Sequence, residues 1–389
     1  MNPVERERLR ARIAGLGFDE VRFASVGQVP AGRFEEWLAQ GHHADMAWLE
    51  RGAAARLDPT RVVSELRTVV ALGVNYLPEG RAGTQGRWSK YSLYRDYHDT
   101  IGTALRRIGE ILEEDYRQTR DDYRAYVDTG PVLERGWAAR AGMGWQGKNA
   151  MHISRTHGNW LFLAVVLTRM EIPPDAALPA VASAPHEIEG QYCGSCVRCL
   201  DACPTRAFPR PGVVDARRCI AYHTIENRGI VPRELRRAFG GRVFGCDTCL
   251  DVCPWNRFAR AGRSVLLEAR AKLVDATLLD LLGMNAARFA DAFRGTPIKR
   301  AKLTGLLRNA CIAAGNWDDT SDWHFGGVRR AEVVAAVERL CAHESEVVRA
   351  HAVWALRRLC VETATRVAGA LRAGETARCV HEEYEAPPE

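Results

Sequence analysis

Two closely spaced groups of cysteines constrain this chain more than any other feature of its sequence. The segment CGSCVRCLDACP at 193–204 has the spacing C-x2-C-x2-C-x3-C-P, and CDTCLDVCP at 246–254 repeats the last three cysteines of that pattern. In bacterial ferredoxins this spacing supports two four-iron clusters, because the fourth cysteine of each run ligates the other cluster. The sequence therefore predicts two iron–sulfur clusters rather than one metal ion.

Two four-iron clusters need eight thiolates, and the two runs supply one fewer. When the runs are aligned on C-x3-C-P, the missing position is Val243, and Cys219 is the only other cysteine before residue 311. We therefore predict Cys219 as the remaining ligand. One predicted cluster is ligated by Cys193, Cys196, Cys199 and Cys253, and the other by Cys203, Cys219, Cys246 and Cys249.

The alternative to iron–sulfur is structural zinc, which C-x2-C pairs also bind. Zinc sites do not explain the repeated C-x3-C-P endings. The chain also has no apolar run long enough for a membrane span and no apolar core of a signal peptide near its N-terminus, so we expect a cytoplasmic protein whose cysteines are reduced. The cysteines of the C-terminal part are read as buried thiols: Cys311, Cys341, Cys360 and Cys379.

Patterns along the chain predict three domains. TVVALGVNYLP at 68–78 predicts a core strand, DTIGTALRRIGEILEEDY at 99–116 a helix with one apolar face, and the region near 160–168 another strand. Without a repeated βαβ unit or a G-x-G-x-x-G motif, this indicates an α+β domain over 1–175, followed by a ferredoxin-like two-cluster domain over 176–265. From 266 to 389 the pattern is helical, and VRAHAVWAL at 348–356 resembles HEAT-type repeats.

A ferredoxin-like electron carrier needs only about 60–80 residues. The preceding domain would be idle in such a carrier, which favours an enzyme over an iron–sulfur electron-transfer adaptor. The net charge of +6 permits a polyanionic partner without requiring one.

Four segments carry a resemblance to a known family. They are VDTGPVLERGWAARAGMGWQGKNAMHIS (127–154), CGSCVRCLDACPTRAF (193–208), RCIAYHTIE (218–226) and GCDTCLDVCPWN (245–256). With RLDP at 56–59 and the helical tail, they resemble epoxyqueuosine reductases. The resemblance implies a nitroreductase-like cobalamin-binding domain, two [4Fe-4S] clusters and HEAT-like repeats. It also implies reduction of the epoxide of epoxyqueuosine at the tRNA wobble position to give queuosine, using cob(I)alamin.

The same resemblance implies that Asp128, in YVDTGP, is the proton donor. To donate at neutral pH its pKa must be raised, which burial against an apolar corrin face would achieve. The alternative is that Asp128 caps the turn before the following helix, since Asp-x-Gly-Pro is good turn chemistry.

The family also implies a set of cobalamin contacts. These are Arg56, Ser89, Asp128, Asn149, His152, Leu163, Cys246 and Asp247. The run DYHDTIG at 96–102 nearly matches the D-x-H-x-x-G signature of cobalamin proteins with a histidine cobalt ligand, but its glycine is one place late, so His98 is not predicted as a ligand.

The expected partners are a tRNA with a modified wobble base and an external low-potential electron donor, a flavodoxin or ferredoxin. The chain itself is expected to be a monomer. Candidate phosphate contacts, which a solvated basic surface explains equally well, are Arg228, Arg233, Arg236, Arg237, Lys299, Arg300, Lys302 and Arg308. Trp137, Trp145 and Tyr222 are candidates for stacking on an extruded base. A reductive dehalogenase remains the alternative enzyme, although a basic helical tail has no role on a small halogenated substrate.

Overall fold

The computed structural model describes residues 1–27, 33–77, 87–179, 190–263, 265–269, 276–317 and 328–387. The strands are β1 (Glu20–Ser25), β2 (Thr68–Asn75), β3 (Tyr123–Tyr126), β4 (Trp145–Gln146), β5 (His152–Ile153) and β6 (Leu161–Thr168). The helices are α1 (Pro3–Gly15), α2 (Phe34–Ala39), α3 (Ala47–Arg51), α4 (Ala53–Leu57), α5 (Tyr97–Tyr116), α6 (Glu134–Arg140), α7 (Arg198–Asp201), α8 (Ile220–Ile225), α9 (Arg233–Arg236), α10 (Thr248–Asp251), α11 (Leu278–Leu282), α12 (Ala286–Ala292), α13 (Lys302–Gly315), α14 (Arg330–Leu340), α15 (Glu346–Leu359), α16 (Val361–Leu371) and α17 (Arg378–Glu385).

The described chain divides into two compact units. The first contains Met1–Ala82, Tyr94–Arg217 and Thr248–Glu268, and the second contains Gly83–Leu93, Arg218–Asp247 and Ala269–Glu389. Strands and helices mix in the first unit, and helices make up the second. The predicted mixture of strands, helices and a helical C-terminal part is thereby confirmed, whereas the boundaries at 175/176 and 265/266 stay a prediction.

A four-stranded antiparallel sheet organises the first unit, with strand order β1-β2-β6-β3. The central pair, β2 and β6, is aligned over eight residues, from Thr68 opposite Thr168 to Asn75 opposite Leu161. Every residue of β2 is buried, because this valine-rich strand is covered on both faces. Strand positions predicted near 68–78 and 160–168 are confirmed.

Two helices of the first unit carry the residues that matter most for function. Helix α5 buries the predicted apolar face, with Ile101, Leu105 and Ile108 among its buried residues. It begins after Asp96, whose side chain accepts a hydrogen bond from the backbone N–H of His98 and so caps the helix. Helix α6 packs its buried Trp137 into a core shared with both central strands.

The second unit is a helical core in which α13 and α15 are the most deeply buried elements. Trp354 on α15 is fully buried, and so is Arg308 on α13. Arg308 donates hydrogen bonds to the backbone carbonyls of His223, Asn227 and Gly229, which compensates the burial of its charge. Among the described helices, none is long and apolar enough to cross a membrane.

We expect Leu72→Ala to destabilise the first unit by about 2–5 kcal/mol, because Leu72 is fully buried on the central strand β2 and truncation leaves a cavity. Val4→Ala is the matched control, since Val4 is 80% exposed on α1, and its effect should stay within about 0.5 kcal/mol. Urea unfolding followed by tryptophan fluorescence measures both. Equal midpoints for the two variants would contradict the burial assigned to β2.

Candidate functional site

Four of the predicted cluster ligands line one pocket of the first unit. Cys193, Cys196, Cys199 and Cys253 surround it, together with Asn149 and Ile153 from the MGWQGKN region and its following strand. Cys199 lies on the short helix α7, and Cys253 follows the short helix α10, which packs against α7. The set predicted for one cluster, with its last cysteine taken from the second run, is therefore brought together.

Aromatic side chains pack beside this cysteine pocket, and Trp255 lines it directly. The Trp145 ring, fully buried, meets the Trp255 ring edge-on at 4.8 Å and lies 5.0 Å from the Tyr192 ring. Burial, together with the neighbouring Cys193 and Cys253, raises the pKa of Cys199 to about 11. A thiol with a raised pKa stays protonated at neutral pH. Binding of a metal cluster must therefore displace its proton.

The MGWQGKN loop at 143–149, which contains β4 and leads toward β5, is tied to the cysteine segment by hydrogen bonds. The Lys148 ammonium donates to the Gly194 carbonyl at 2.6 Å, and the Asn149 amide donates to the Cys249 carbonyl at 3.3 Å. A side chain at Gly144 would meet the backbone carbonyl oxygen of Ile153, so the tight packing of this segment requires glycine there. The loop thus fixes the backbone around the cysteines.

The other predicted ligand set divides between the two units. Cys203 and Cys249 belong to the first unit, and Cys219 and Cys246 to the second. The Cys203 sulfur accepts a hydrogen bond from the Ala207 N–H at 3.3 Å. The assignment of these four residues to one cluster stays a prediction.

Asp128 lies at the centre of a tight turn that follows β3. The Thr129 N–H donates to the Val127 carbonyl at 2.6 Å, which closes a three-residue turn, and Asp128 has the positive φ of 60° that such a turn imposes. A non-glycine residue in this region is strained, and strain of this kind is common at functional sites. Its side chain is 69% exposed, so the turn presents the carboxylate outward.

Asp128 lies in the turn before α6, as its alternative role requires, so that role stays a prediction, but Asp128 does not cap the helix itself. Helix α6 begins at Glu134 with Leu133 as its N-cap, and no side chain caps it. The Asp128 carboxylate instead accepts a hydrogen bond from the Tyr97 hydroxyl at 2.7 Å. The same Oδ2 atom lies 3.6 Å from Nε2 of His98, an ion-pair distance.

His98 joins two carboxylates. Its Nδ1 atom lies 2.7 Å from the Asp96 carboxylate, which is almost completely buried, and its Nε2 atom faces Asp128. Burial alone would lower the pKa of His98, but Asp128 and Asp96 outweigh it and raise the pKa to about 9. The imidazole is therefore protonated at neutral pH.

The pKa of Asp128 moves in the direction opposite to our expectation. Desolvation by the surrounding protein acts to raise it, although the side chain is 69% exposed, but His98, the Tyr97 hydroxyl and the charge of Arg135 together hold the pKa below the usual range of an aspartate. None of these neighbours was predicted from the sequence. In this arrangement the resting proton of the pair is on His98 and Asp128 is ionised.

A second carboxyl group near Asp128 was not predicted from the sequence. Glu134, the first residue of α6, is desolvated, and this together with the charge of Asp128 raises its pKa to about 7 against the influence of Arg135 and Arg56. Its Oε1 atom is buried without a hydrogen-bond partner among the described residues. The predicted contact Arg56 lies close enough to act electrostatically on both Glu134 and Asp128.

His152, another predicted contact, is buried and neutral. Burial and then Arg135 lower its pKa to about 3, opposed only weakly by the Met143 backbone. Neither ring nitrogen has a hydrogen-bond partner within the part of the chain that the structure describes. A buried neutral imidazole in this state has one donor and one acceptor that are unsatisfied. Buried polar groups are normally hydrogen-bonded, so this ring marks a place where a bound ligand would be stabilised.

The other predicted contacts fall into both units. Asn149 is buried beside the cysteine pocket, and Leu163 lies on β6, where it is partly buried against the core of the first unit. In the second unit the Ser89 N–H donates to the Phe244 carbonyl, and Asp247 accepts from the Lys90 N–H. Cys246, adjacent to Asp247, packs against the helical core.

Several predicted RNA contacts are not available at the surface. Arg236 and Arg308 are each 1% exposed, and Arg236 is paired with Glu383 at 2.7 Å. Trp137 and Trp145 are fully buried, so neither can stack on a base in this structure. These four predictions are wrong because the residues form the core. The exposed members of the basic set stay predictions: Arg228, Arg237, Lys299, Arg300 and Lys302.

Family models match two parts of the chain. Residues 56–129 match the family described as Epoxyqueuosine reductase QueG, DUF1730, and residues 192–256 match a 4Fe-4S double cluster binding domain. The epoxyqueuosine reductase of Pseudomonas aeruginosa is 36% identical over 352 residues, which cover 88% of this chain and 91% of that protein. The chain belongs to the epoxyqueuosine reductase family. The Escherichia coli epoxyqueuosine reductase is 33% identical over 333 residues, covering 82% of this chain and 84% of its own length.

Solved structures of this family share the fold. A selenomethionine-labelled epoxyqueuosine reductase superposes with a TM-score of 0.83 at 25% identity, covering 98% of this chain and 97% of that one. An epoxyqueuosine reductase with a tRNA-Tyr epoxyqueuosine-modified stem loop gives a TM-score of 0.82 at 24% identity, covering 98% of both chains. The family resemblance and the iron–sulfur domain predicted from the sequence are confirmed.

We expect Cys196→Ala to lower the iron content of the anaerobically reconstituted chain from about eight to about four atoms, because it removes one thiolate of the cysteine pocket and leaves the other cluster. Cys360→Ala is the matched control, since Cys360 lies in the helical unit and should leave the iron content unchanged. Iron and sulfide analysis measures both. Full iron content in Cys196→Ala would contradict the role of this pocket.

Proposed function

We propose that this chain reduces the epoxide of epoxyqueuosine in tRNA to the alkene of queuosine. The observation that supports this most strongly is the match to epoxyqueuosine reductases over most of the chain, which includes the Asp128 turn and both cysteine runs. The reaction consumes two electrons and two protons, forms a carbon–carbon double bond and releases the oxygen as water. A protein for this reaction must therefore supply both electrons and both protons to the bound substrate.

The electrons enter through two [4Fe-4S] clusters. We assign one cluster to Cys193, Cys196, Cys199 and Cys253 and the other to Cys203, Cys219, Cys246 and Cys249. The donor is an external low-potential protein such as a flavodoxin or ferredoxin. Support for the first assignment comes from the pocket that these four half-buried cysteines line together with Trp255.

Cobalamin is the cofactor that we propose for the epoxide step. The residues present in the first unit suit it: His152 is a buried imidazole without partners among the described residues, and Glu134 carries a buried oxygen in the same condition. When bound and reduced, cobalamin supplies a strong nucleophile for the carbon–oxygen bond. We propose the family's contact positions as the residues that hold it: Arg56, Ser89, Asp128, Asn149, His152, Leu163, Cys246 and Asp247.

Asp128 is the residue that we propose to hand the proton to the epoxide oxygen. Its turn presents the carboxylate outward, and Tyr97 orients Oδ2 by a hydrogen bond. In the structure this carboxylate is exposed, and His98 and Tyr97 hold its pKa low. Displacement of water from the carboxylate when the substrate binds would raise its pKa and favour the protonated form needed for donation.

The modified base of the tRNA must leave its stack before it can enter a protein site, because a stacked base cannot reach one. A neighbour with the same fold holds a modified tRNA stem loop, and we extend that partner class to this chain. The exposed cations Arg237 and Lys299, on the second unit, suit contact with the phosphate backbone. We further propose that the first unit is nitroreductase-like, that the helical tail consists of HEAT-like repeats and that the chain acts as a monomer.

We expect Asp128→Asn to slow the loss of the epoxide oxygen by about 10²–10⁴-fold, because an amide cannot transfer a proton to the leaving oxygen. The assay uses the anaerobically reconstituted chain with cobalamin, a low-potential reductant and an anticodon stem loop that contains epoxyqueuosine. Mass analysis of the digested nucleosides measures the loss of one oxygen. Asp121→Asn is the matched control, because that side chain is 90% exposed and lies outside the site.

Two results would contradict the proposal. Oxygen loss that does not require added cobalamin would remove the cofactor from the scheme. An unchanged nucleoside in a chain with full iron and bound cobalamin would exclude epoxyqueuosine as the substrate, and a halogenated organic electrophile would be tested next. Wild-type rates in Asp128→Asn would leave the function in place and remove Asp128 as the proton donor.

A further inference from the structure

Asp128 has a built partner that the reaction scheme above does not use. His98 is held between two carboxylates, with Nδ1 2.7 Å from Asp96 and Nε2 3.6 Å from Asp128. Asp96 is 2% exposed and is itself fixed as the cap of α5. The ring therefore has one buried anchor, and its other nitrogen points toward the proposed donor.

We propose that His98 is a positioning residue that stores the proton for Asp128 and relays it from solvent to that carboxylate. This inference rests on the proposed function and deepens it. It differs from a cobalt-ligand role, because both ring nitrogens of His98 face carboxylates.

A cleft supplies the solvent side of the relay. A cavity of about 470 Å³ lies along α5 and β3, and its lining includes His98, Gly102, Tyr126, Val127 and Thr129. The His98 side chain is 34% exposed. The imidazole thus contacts the cleft and Asp128 together, so a proton can pass from water to the ring without crossing packed protein.

The proton balance requires such a source. Reduction of one epoxide takes up two protons, and a single carboxyl group holds at most one. In the relay, the Nε2–H bond of His98 breaks as an O–H bond forms on Asp128, and water in the cleft returns a proton to the ring. The electrons come from the low-potential donor named above, so His98 and Asp128 end each cycle unchanged.

The separation of 3.6 Å is longer than a hydrogen bond. The exposed Asp128 side chain can close it by a small rotation, and catalytic hydrogen bonds often tighten only when a substrate is bound. Tyr97 limits that rotation by its own hydrogen bond to Oδ2, and its ring lies 4.0 Å from the His98 ring. The three side chains therefore move within a narrow range.

The charges around the pair favour a protonated ring. From α5, Asp96 faces the imidazole directly, and from the turn after β3 Asp128 does so. The cations that reach the pair act on Asp128: Arg135 from α6 and Arg56 from α4. The raised pKa of His98 reported above agrees with this balance.

Further titratable groups face the same space. Glu134 of α6 feels the charge of Asp128, and mainly its own desolvation raises its pKa to about 7, so that about half of it is ionised at pH 7. In the wall of the cleft, Arg106 and Glu110 of α5 face Arg120 and Tyr123, with Glu113 accepting a hydrogen bond from Tyr123 at 2.7 Å. Opposite charges in this wall compensate one another, and Asp96 and Asp128 remain the nearest charges to the ring.

The first test measures the titration of His98 beside Asp128 and does not depend on enzymatic activity. Nuclear magnetic resonance of the ring nitrogens in the full chain with its clusters should show His98 titrating at about pH 9. Asp128→Asn should lower that midpoint by about 1–3 units, because it removes an opposite charge within reach of the ring. A midpoint near 6.5 that Asp128→Asn does not move would overturn the inference, whatever the activity of the chain.

The second test uses single-turnover oxygen loss with the reduced holoenzyme between pH 6.5 and 10. The wild-type rate should be level below about pH 9 and fall above it, because the relay needs the protonated ring. His98→Gln should be slower on the order of 10–100-fold and should lose this fall, since glutamine does not titrate. The backbone N–H that Asp96 caps remains, so the helix start is kept.

The matched control is His157→Gln. His157 also faces a carboxylate, Glu20 at 3.7 Å, and has no contact with Asp128 among the described residues. It should keep the wild-type pH profile. Imidazole should partly restore His98→Ala, because the cleft admits a small base, and a merely structural histidine would not be replaced in this way.

The outcomes separate the two proposals. No oxygen loss in the wild-type chain would overturn the proposed function, and the titration of His98 would still decide whether the pair exists. Oxygen loss in the wild type with an unchanged rate and pH profile in His98→Gln would overturn the relay alone. A slow His98→Gln that keeps the wild-type fall above pH 9 would also overturn it, because the titrating group would then be another one.

Discussion

The pairing of β2 with β6 is the interaction on which the rest of the first unit depends. Eight residues of each strand are in register, and β2 is buried throughout. Strand β3 pairs with the outer side of β6 and ends at Tyr126, so the turn that holds Asp128 leaves directly from the sheet. Helix α6 packs Trp137 onto the same strands. A shift of this register by one residue would exchange buried and exposed faces and displace the turn.

The strands, the helix and the cysteine pocket that were predicted correctly are those that depend on neighbouring residues. The valine-rich run at 68–78 and the apolar face of α5 give their elements directly, because strand and helix periods are properties of neighbouring residues. The cysteine spacing likewise located the cysteine pocket, since the C-x2-C repeats fix the backbone around a cluster. The link from Cys253 to the first run followed from the ferredoxin pattern and needed no knowledge of the fold.

What the sequence could not predict depends on contacts between distant segments. His98 and Asp128 are 30 positions apart, and their pairing requires both the start of α5 and the turn after β3 to be in place. The basic residues failed for a related reason. Arg308 and Arg236 looked like surface charges, but backbone carbonyls and Glu383 compensate them inside the helical unit. The sequence around a charged residue does not show that a distant segment will compensate its charge in the core.

Two carboxyl groups near the same cations are given opposite properties by their surroundings. Glu134 is desolvated without a compensating hydrogen bond at Oε1, and its pKa rises to about 7. Desolvation also acts to raise the pKa of Asp128, but Tyr97 and the protonated His98 stabilise its charged form and hold the pKa low. Paired groups whose pKa values are pushed apart are the usual basis of acid and base roles. Because the charge of Asp128 depends on the proton of His98, removal of water from this carboxylate weakens the ionised state and moves the shared proton toward Asp128, where the leaving oxygen of the epoxide would need it.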